Sequence, residues 1–73
     1  MKANKIIDAL KPYPEYDVLS DSGWECDASD IQGILVNHTQ QIIILKQSAY
    51  DCKKDKEKLY AYDQCDIIDL EKT

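Results

Sequence analysis

The chain contains no arginine and no phenylalanine, and only one histidine, one tryptophan and two glycines. With a lone His, no Arg and no nucleophile motif, the side chains available for acid–base or nucleophilic catalysis are few. Cys26 sits among acids that disfavour its thiolate. Closely spaced carboxylates such as Asp27 and Asp30 are too common in this chain to mark acid–base chemistry. An enzyme is therefore not expected. No apolar run approaches the roughly 20 residues that span a bilayer. Lys5 and Asp8 interrupt the N-terminal apolar residues, so no signal-peptide core is read there. The three cysteines are odd in number, which argues against a secreted disulfide framework. These features predict a cytoplasmic protein with no membrane association.

Cations are missing from a long central stretch. Residues 12–45 carry Glu15, Asp17, Asp21, Glu25, Asp27 and Asp30 with no Lys, a net charge of −6. The flanking segments 1–11 and 46–58 each carry +2, residues 59–73 carry −3, and the whole chain carries −5. An unbroken acidic stretch predicts one strongly negative surface, which repels nucleic acid and steers basic partners inward. The same surface also serves solubility.

Seventy-three residues make a single small domain, in which roughly 60–65% of the unfolded surface is buried on folding. The stretch from Ile31 to Gln47 organises it. Two apolar, β-branched runs, Ile31–Val36 and Ile42–Leu45, flank the polar break Asn37-His38-Thr39-Gln40 and predict a β-hairpin, with Asn37 suited to a left-handed backbone. The second run does not alternate, so both faces of that strand carry apolar surface. One face calls for a helix, the other for more of this chain or a partner. Gly33 within the first run predicts a bulge or a close backbone approach.

Upstream, residues 3–11 read as a short helix with Ile6, Ile7 and Leu10 on one face, stopped by Pro12 and Pro14. Residues 15–20 read as a strand with Tyr16, Val18 and Ser20 on one face and Asp17 and Leu19 on the other. Residues 20–30 have turn chemistry and carry Trp24 among acids. Downstream, residues 48–64 admit two readings. One is a helix capped by Ser48 with Asp51 at the third position. The other, which is preferred, is a strand to Tyr50, a turn at 53–56 and a return strand that places Tyr50, Tyr60 and Tyr62 together. The tail CDIIDLEKT holds enough apolar mass for one short docked element. The expected fold is α+β, an N-terminal helix on a three- to four-stranded antiparallel meander.

Five constellations bear on function. Tyr16, Asp17, Asp21, Trp24, Glu25, Asp27 and Asp30 are the expected partner-binding residues: carboxylates in place of nucleic-acid phosphates, with aromatics, Tyr13 included, as anchors. The contrary reading folds Trp24 into the core and solvates the loop. Cys26, His38, Cys52 and Cys65 form a Cys3His set suited to zinc, but the gaps of 12, 14 and 13 residues lack the close ligand pairs of structural zinc sites. Asp21, Glu25, Asp27 and Asp30 miss the calcium-loop spacing and its central Gly. Lys53, Lys54, Lys56 and Lys58 interleave with Asp51, Asp55 and Glu57, a mixed-charge face that predicts no direct nucleic-acid binding. The apolar strand faces leave room for a homodimer.

The segments IIDALKPYPEYDVLS and DSGWECDASDIQGILVNHTQQIIIL, within a stretch of about residues 3–46, resemble small proteins of phages and mobile elements. Those open with a Leu-rich helix, a Pro–acid step and a Val-containing strand, followed by a loop and a hairpin. The resemblance implies a phage or prophage origin and no catalytic residues. As a class, small acidic phage proteins look like inhibitors of host defence or nucleic-acid enzymes, anti-CRISPR and anti-restriction proteins among them. The expected function is a cofactor-free, phage-type inhibitor that binds a host protein through its basic groove. The alternatives are a structural or adaptor homodimer and a zinc module.

Overall fold

The computed structural model of the protein describes residues 2–20 and 30–72. In chain order these form α1 (Ala3–Leu10), β1 (Asp17–Ser20), β2 (Gly33–Asn37), β3 (Ile42–Lys46), α2 (Ala49–Lys58), β4 (Cys65–Asp69) and a 3-10 turn (Leu70–Lys72). The class is α+β, with one four-stranded sheet in the order β1-β3-β2-β4. The sheet is mixed, which corrects the expected antiparallel meander: β1 runs parallel to β3, while β2 is antiparallel to both β3 and β4.

The strand order follows from polarity. All five residues of β2 are buried, and β3 is buried or half-buried along its length. Strands apolar on both faces belong in the middle of a sheet. β1 and β4 contribute Asp17, Ser20, Asp66 and Asp69, which suit the edges. The hairpin partners therefore take the centre. β1 is left to join β3 on its far side, reached through the long connection after Ser20.

Two apolar clusters flank the sheet. On one side Ile34, Val36, Ile43 and Leu70 pack with Ile6, Ala9, Leu10, Tyr13, Tyr16, Leu45 and Ile68 under α1. On the other, Leu35, Ile44, Cys52 and Cys65 pack with Ile42, Tyr60 and Ile67 under α2. The two-sided apolar strand is thus covered by the chain itself on both faces. In α1, Ile6, Ala9 and Leu10 face the sheet, while Ile7, expected among them, is mostly exposed. The helix ends at Lys11, whose N–H bonds the Ile7 carbonyl at 3.0 Å before Pro12 removes the next donor.

Residues 49–58 form a helix, which overturns the preferred strand reading. Ser48 is extended, and its hydroxyl accepts from the Asp51 N–H at 3.2 Å. Asp51 lies in the first turn and Lys56 and Lys58 in the last, matching the helix dipole. Tyr50, Tyr60 and Tyr62 do not share a face: Tyr50 and Tyr62 are exposed, and Tyr60 packs on the second cluster. The tail supplies β4, paired to β2. Gly33 makes a close backbone approach rather than a bulge: a Cβ there would lie 2.7 Å from the backbone of Ser48 and Ala49. The left-handed residue of the hairpin turn is Gln41 (φ 56°), not Asn37, which stays within β2.

Candidate protein-binding surface

At one end of the sheet the hairpin turn, the start of β1 and the start of β4 converge. The Asp17 N–H bonds the Gln41 carbonyl at 3.1 Å, and the His38 N–H bonds the Gln64 carbonyl at 2.7 Å. Asn37 is fully buried, and both polar atoms of its side chain are hydrogen-bonded. Its Nδ2 donates to Asp63 Oδ2 at 3.0 Å, and its Oδ1 accepts from the Gln40 N–H at 3.0 Å. Gln40 Nε2 also donates to Asp63 Oδ2, at 2.9 Å, and the Gln64 N–H donates to Thr39 Oγ1 at 3.0 Å. A buried Asn satisfied in this way fixes the turn against the loop before β4.

His38 joins three chain segments. Its Nε2 lies 2.7 Å from Asp66 Oδ2, and its Nδ1 lies 2.9 Å from the Tyr16 hydroxyl. An ionised carboxylate only accepts, so Nε2 carries a hydrogen, and in the neutral ring Nδ1 then accepts from the phenol. Tyr13 and Tyr16 flank the imidazole with centroids 5.5 and 5.9 Å away, and they lie 5.1 Å from each other. The Pro-Tyr-Pro corner after α1 thereby presents an aromatic cluster at this end of the sheet.

Carboxylates stand at the same end. Glu15 and Asp17 are exposed at the head of β1, Asp66 is 67% exposed, and Asp63 is half-buried. Residues 15–17 and 63–66 are remote in sequence, and the fold sets them at the same end. Cations are not absent from this end: Lys11 directly precedes the Pro-Tyr-Pro corner, and the charge of Lys56 reaches Cys65 at the start of β4. Lys53, Lys54, Lys56 and Lys58 are exposed on α2, with Lys54 Nζ 5.7 Å from the Tyr50 ring centroid. Lys46 is buried and held 2.6 Å from Asp55 Oδ2.

The expected partner-binding set is divided by this geometry. Tyr16 and Asp17 stand at the hairpin end, with Tyr16 half-buried as a hydrogen-bonded part of the cluster rather than a free anchor. Asp30 is exposed at the opposite end, beyond Gly33. Along β1 the two ends are roughly 10 Å apart, three steps of strand rise. Asp21, Trp24, Glu25 and Asp27 lie outside the described residues. His38, Asp63 and Asp66 had no place in the expected set. The signal for His38 was present in the alternation: Ile34, Val36 and position 38 share the face that α1 covers.

The zinc set is not assembled among the described residues. His38 is turned toward Tyr16 on the α1 side, whereas Cys52 and Cys65 belong to the cluster under α2. Burial pushes the Cys52 thiol up to about 11 and raises that of Cys65, which leaves both as protonated, inert core groups. No group of three or more His, Cys, Asp or Glu among the described residues is placed to hold a metal ion. No described helix is long and apolar enough to cross a membrane. Comparison with protein-family models, curated proteins and solved structures finds no match to this chain.

Proposed function

We propose that this protein is a non-enzymatic binding module that docks its acidic hairpin end into a basic groove of a host protein, as a phage-type inhibitor of a defence or nucleic-acid-processing enzyme. The observation that carries the reading is the convergence of Glu15, Asp17, Asp63 and Asp66 on the end of the sheet that holds the Tyr13–Tyr16–His38 cluster, the first two drawn from a stretch of sequence without lysine between residues 12 and 45. Carboxylates held on a rigid frame stand in for phosphates at a site already shaped for polyanions. The aromatic cluster supplies the apolar contact that charge alone does not. The phage or prophage origin that the resemblance of residues 3–46 implies belongs to the same proposal, as does a cytoplasmic site of action.

The test is capture of host nucleic-acid-binding proteins by the full chain, read by mass spectrometry at about 0.1 M and about 1 M salt, between which screening shortens from about 10 to about 3 Å. The mimic predicts a partner held at low salt, displaced by duplex DNA, and lost in Glu15→Lys/Asp17→Lys. A partner that ignores salt, DNA and both reversals would refute the docking surface.

A further inference from the structure

Tyr62 is the most exposed large apolar side chain of the described residues, at 102%, and Leu59 in the same turn is 70% exposed. The Tyr62 ring therefore adds no burial to the core. It is held in place all the same. The Leu59 and Tyr60 N–H groups both bond the Asp55 carbonyl, at 2.8 and 3.2 Å, and the Asp63 N–H bonds the Tyr60 carbonyl at 2.9 Å. Tyr60 packs on the second cluster, and Asp63 Oδ2 accepts from both Asn37 and Gln40. Tyr62 thus sits between a residue fixed in the core and a residue fixed against the hairpin turn. A ring presented in this way has few torsions left to order, so a contact made by it loses little conformational entropy.

The turn stands at the acidic end of the sheet. Gln64, just beyond it, donates its N–H to Thr39 Oγ1 at 3.0 Å and accepts the His38 N–H at 2.7 Å. Tyr13 and Tyr16 at the same end are half-buried and engaged with His38. Tyr62 is the aromatic of this end, among the described residues, whose face is open. The exposed Tyr50 stands at the opposite end, at the start of α2 beside Gly33. Its ring already carries a cation of this chain, Lys54 Nζ at 5.7 Å from the centroid.

We propose that Tyr62 anchors the acidic end to its partner by taking the guanidinium of an arginine in the basic groove against its ring. The proposal rests on the acidic-end reading above and adds the residue type that the groove presents. The face of an aromatic ring is negative and attracts a cation placed over it. A guanidinium is planar and weakly hydrated, so it stacks on the ring, whereas a lysine ammonium is compact and strongly hydrated. Carboxylates hold both cations and match the guanidinium fork better. The ring adds to that preference, and the part lost with the ring identifies Tyr62.

Titration of the full chain with labelled oligo-arginine and oligo-lysine peptides of equal length tests this, read by fluorescence anisotropy. Tyr62→Ala should weaken oligo-arginine binding about threefold and oligo-lysine binding much less. Tyr62→Phe should keep the wild-type preference, since the ring and not the hydroxyl acts. Tyr50→Ala should change neither affinity. None of these variants should move the urea midpoint, because both rings lie outside the core. The Tyr62 ring protons should shift in NMR spectra as oligo-arginine is added. Equal effects of Tyr62→Ala on the two peptides, nil included, would overturn the role of Tyr62 while leaving the acidic surface standing. Binding of neither peptide, or binding indifferent to Glu15→Lys/Asp17→Lys, would overturn the acidic surface and this proposal with it.

Discussion

Gly33 and Ser48 meet backbone to backbone. A Cβ built on Gly33 lies 2.7 Å from the carbonyl carbon and oxygen of Ser48 and the same distance from the Ala49 nitrogen. The contact sets the entry of α2 onto the sheet at the point where the chain leaves β3. Gly in a strand ordinarily costs about 0.5–1 kcal/mol relative to Ala, so Gly33→Ala would stabilise an unobstructed strand. Here the obstacle is backbone, which cannot swing aside as a side chain would. Gly33→Ala is expected to destabilise by about 2 kcal/mol through overpacking, read as a lower urea midpoint at unchanged slope.

Much of this frame was legible in the residues. The unalternating run Ile42–Leu45 announced a strand covered on both sides, and the structure supplies the two covers from α1 and α2. Gly33 announced a bulge or a close backbone approach, and the structure takes the second. Periodicity carries no information about neighbour order, so the parallel docking of β1 on β3 was hidden. It follows only when β2 and β3 compete with the polar strands for the centre. The helix α2 was obscured because Cys52 is its one buried residue, and a helix with so narrow an apolar stripe leaves a faint helical period. The Tyr16–His38–Asp66 chain was the hardest to see. Its members are 22 and 28 residues apart and meet only once the register is set.

Because α2 has so little apolar stripe, its cap matters more than usual. Most helical stability in proteins comes from a packed face, which α2 has only at Cys52 and its surroundings. Ser48→Ala removes the acceptor for the Asp51 N–H and is expected to cost about 1 kcal/mol. Ser48→Asp, which keeps an acceptor and adds charge at the helix N-terminus, should hold stability at or above wild type. Thermal denaturation of the two variants side by side checks both the sign and the cap.

The buried thiols make alkaline stability fall. Burial raises the folded Cys52 value to about 11 from an unfolded value of 9.0, and Cys65 shifts in the same direction. The folded state therefore holds its thiol protons through a range where the unfolded chain releases them. The stabilisation is complete below about pH 9 and is lost as pH rises toward about 11. Cys52→Ala should shallow that decline in urea titrations across the window. Alkylation of native protein near pH 8 should leave Cys52 unmodified until denaturant is added. Rapid native labelling of Cys52 would contradict its burial between α2 and the sheet.

His38 is held by unequal partners. Asp66 accepts from Nε2 at 2.7 Å but is largely exposed, so that pair contributes at most about 1 kcal/mol. The Tyr16 hydroxyl donates to Nδ1 at 2.9 Å from a half-buried position, a neutral hydrogen bond worth about 1 kcal/mol, and the ring itself packs with the first cluster. Tyr16→Phe keeps the packing and removes only the donor. It should lower stability by about 1 kcal/mol and leave the Nε2–H tautomer in place, because Asp66 still accepts that hydrogen. Asp66→Ala should cost less but release the tautomer, since Nδ1–H can then donate to the phenolic oxygen. Nitrogen-15 chemical shifts of the imidazole distinguish the two tautomers. Loss of the Nε2–H form in Tyr16→Phe but not in Asp66→Ala would mean that the phenol, and not the carboxylate, orients the ring.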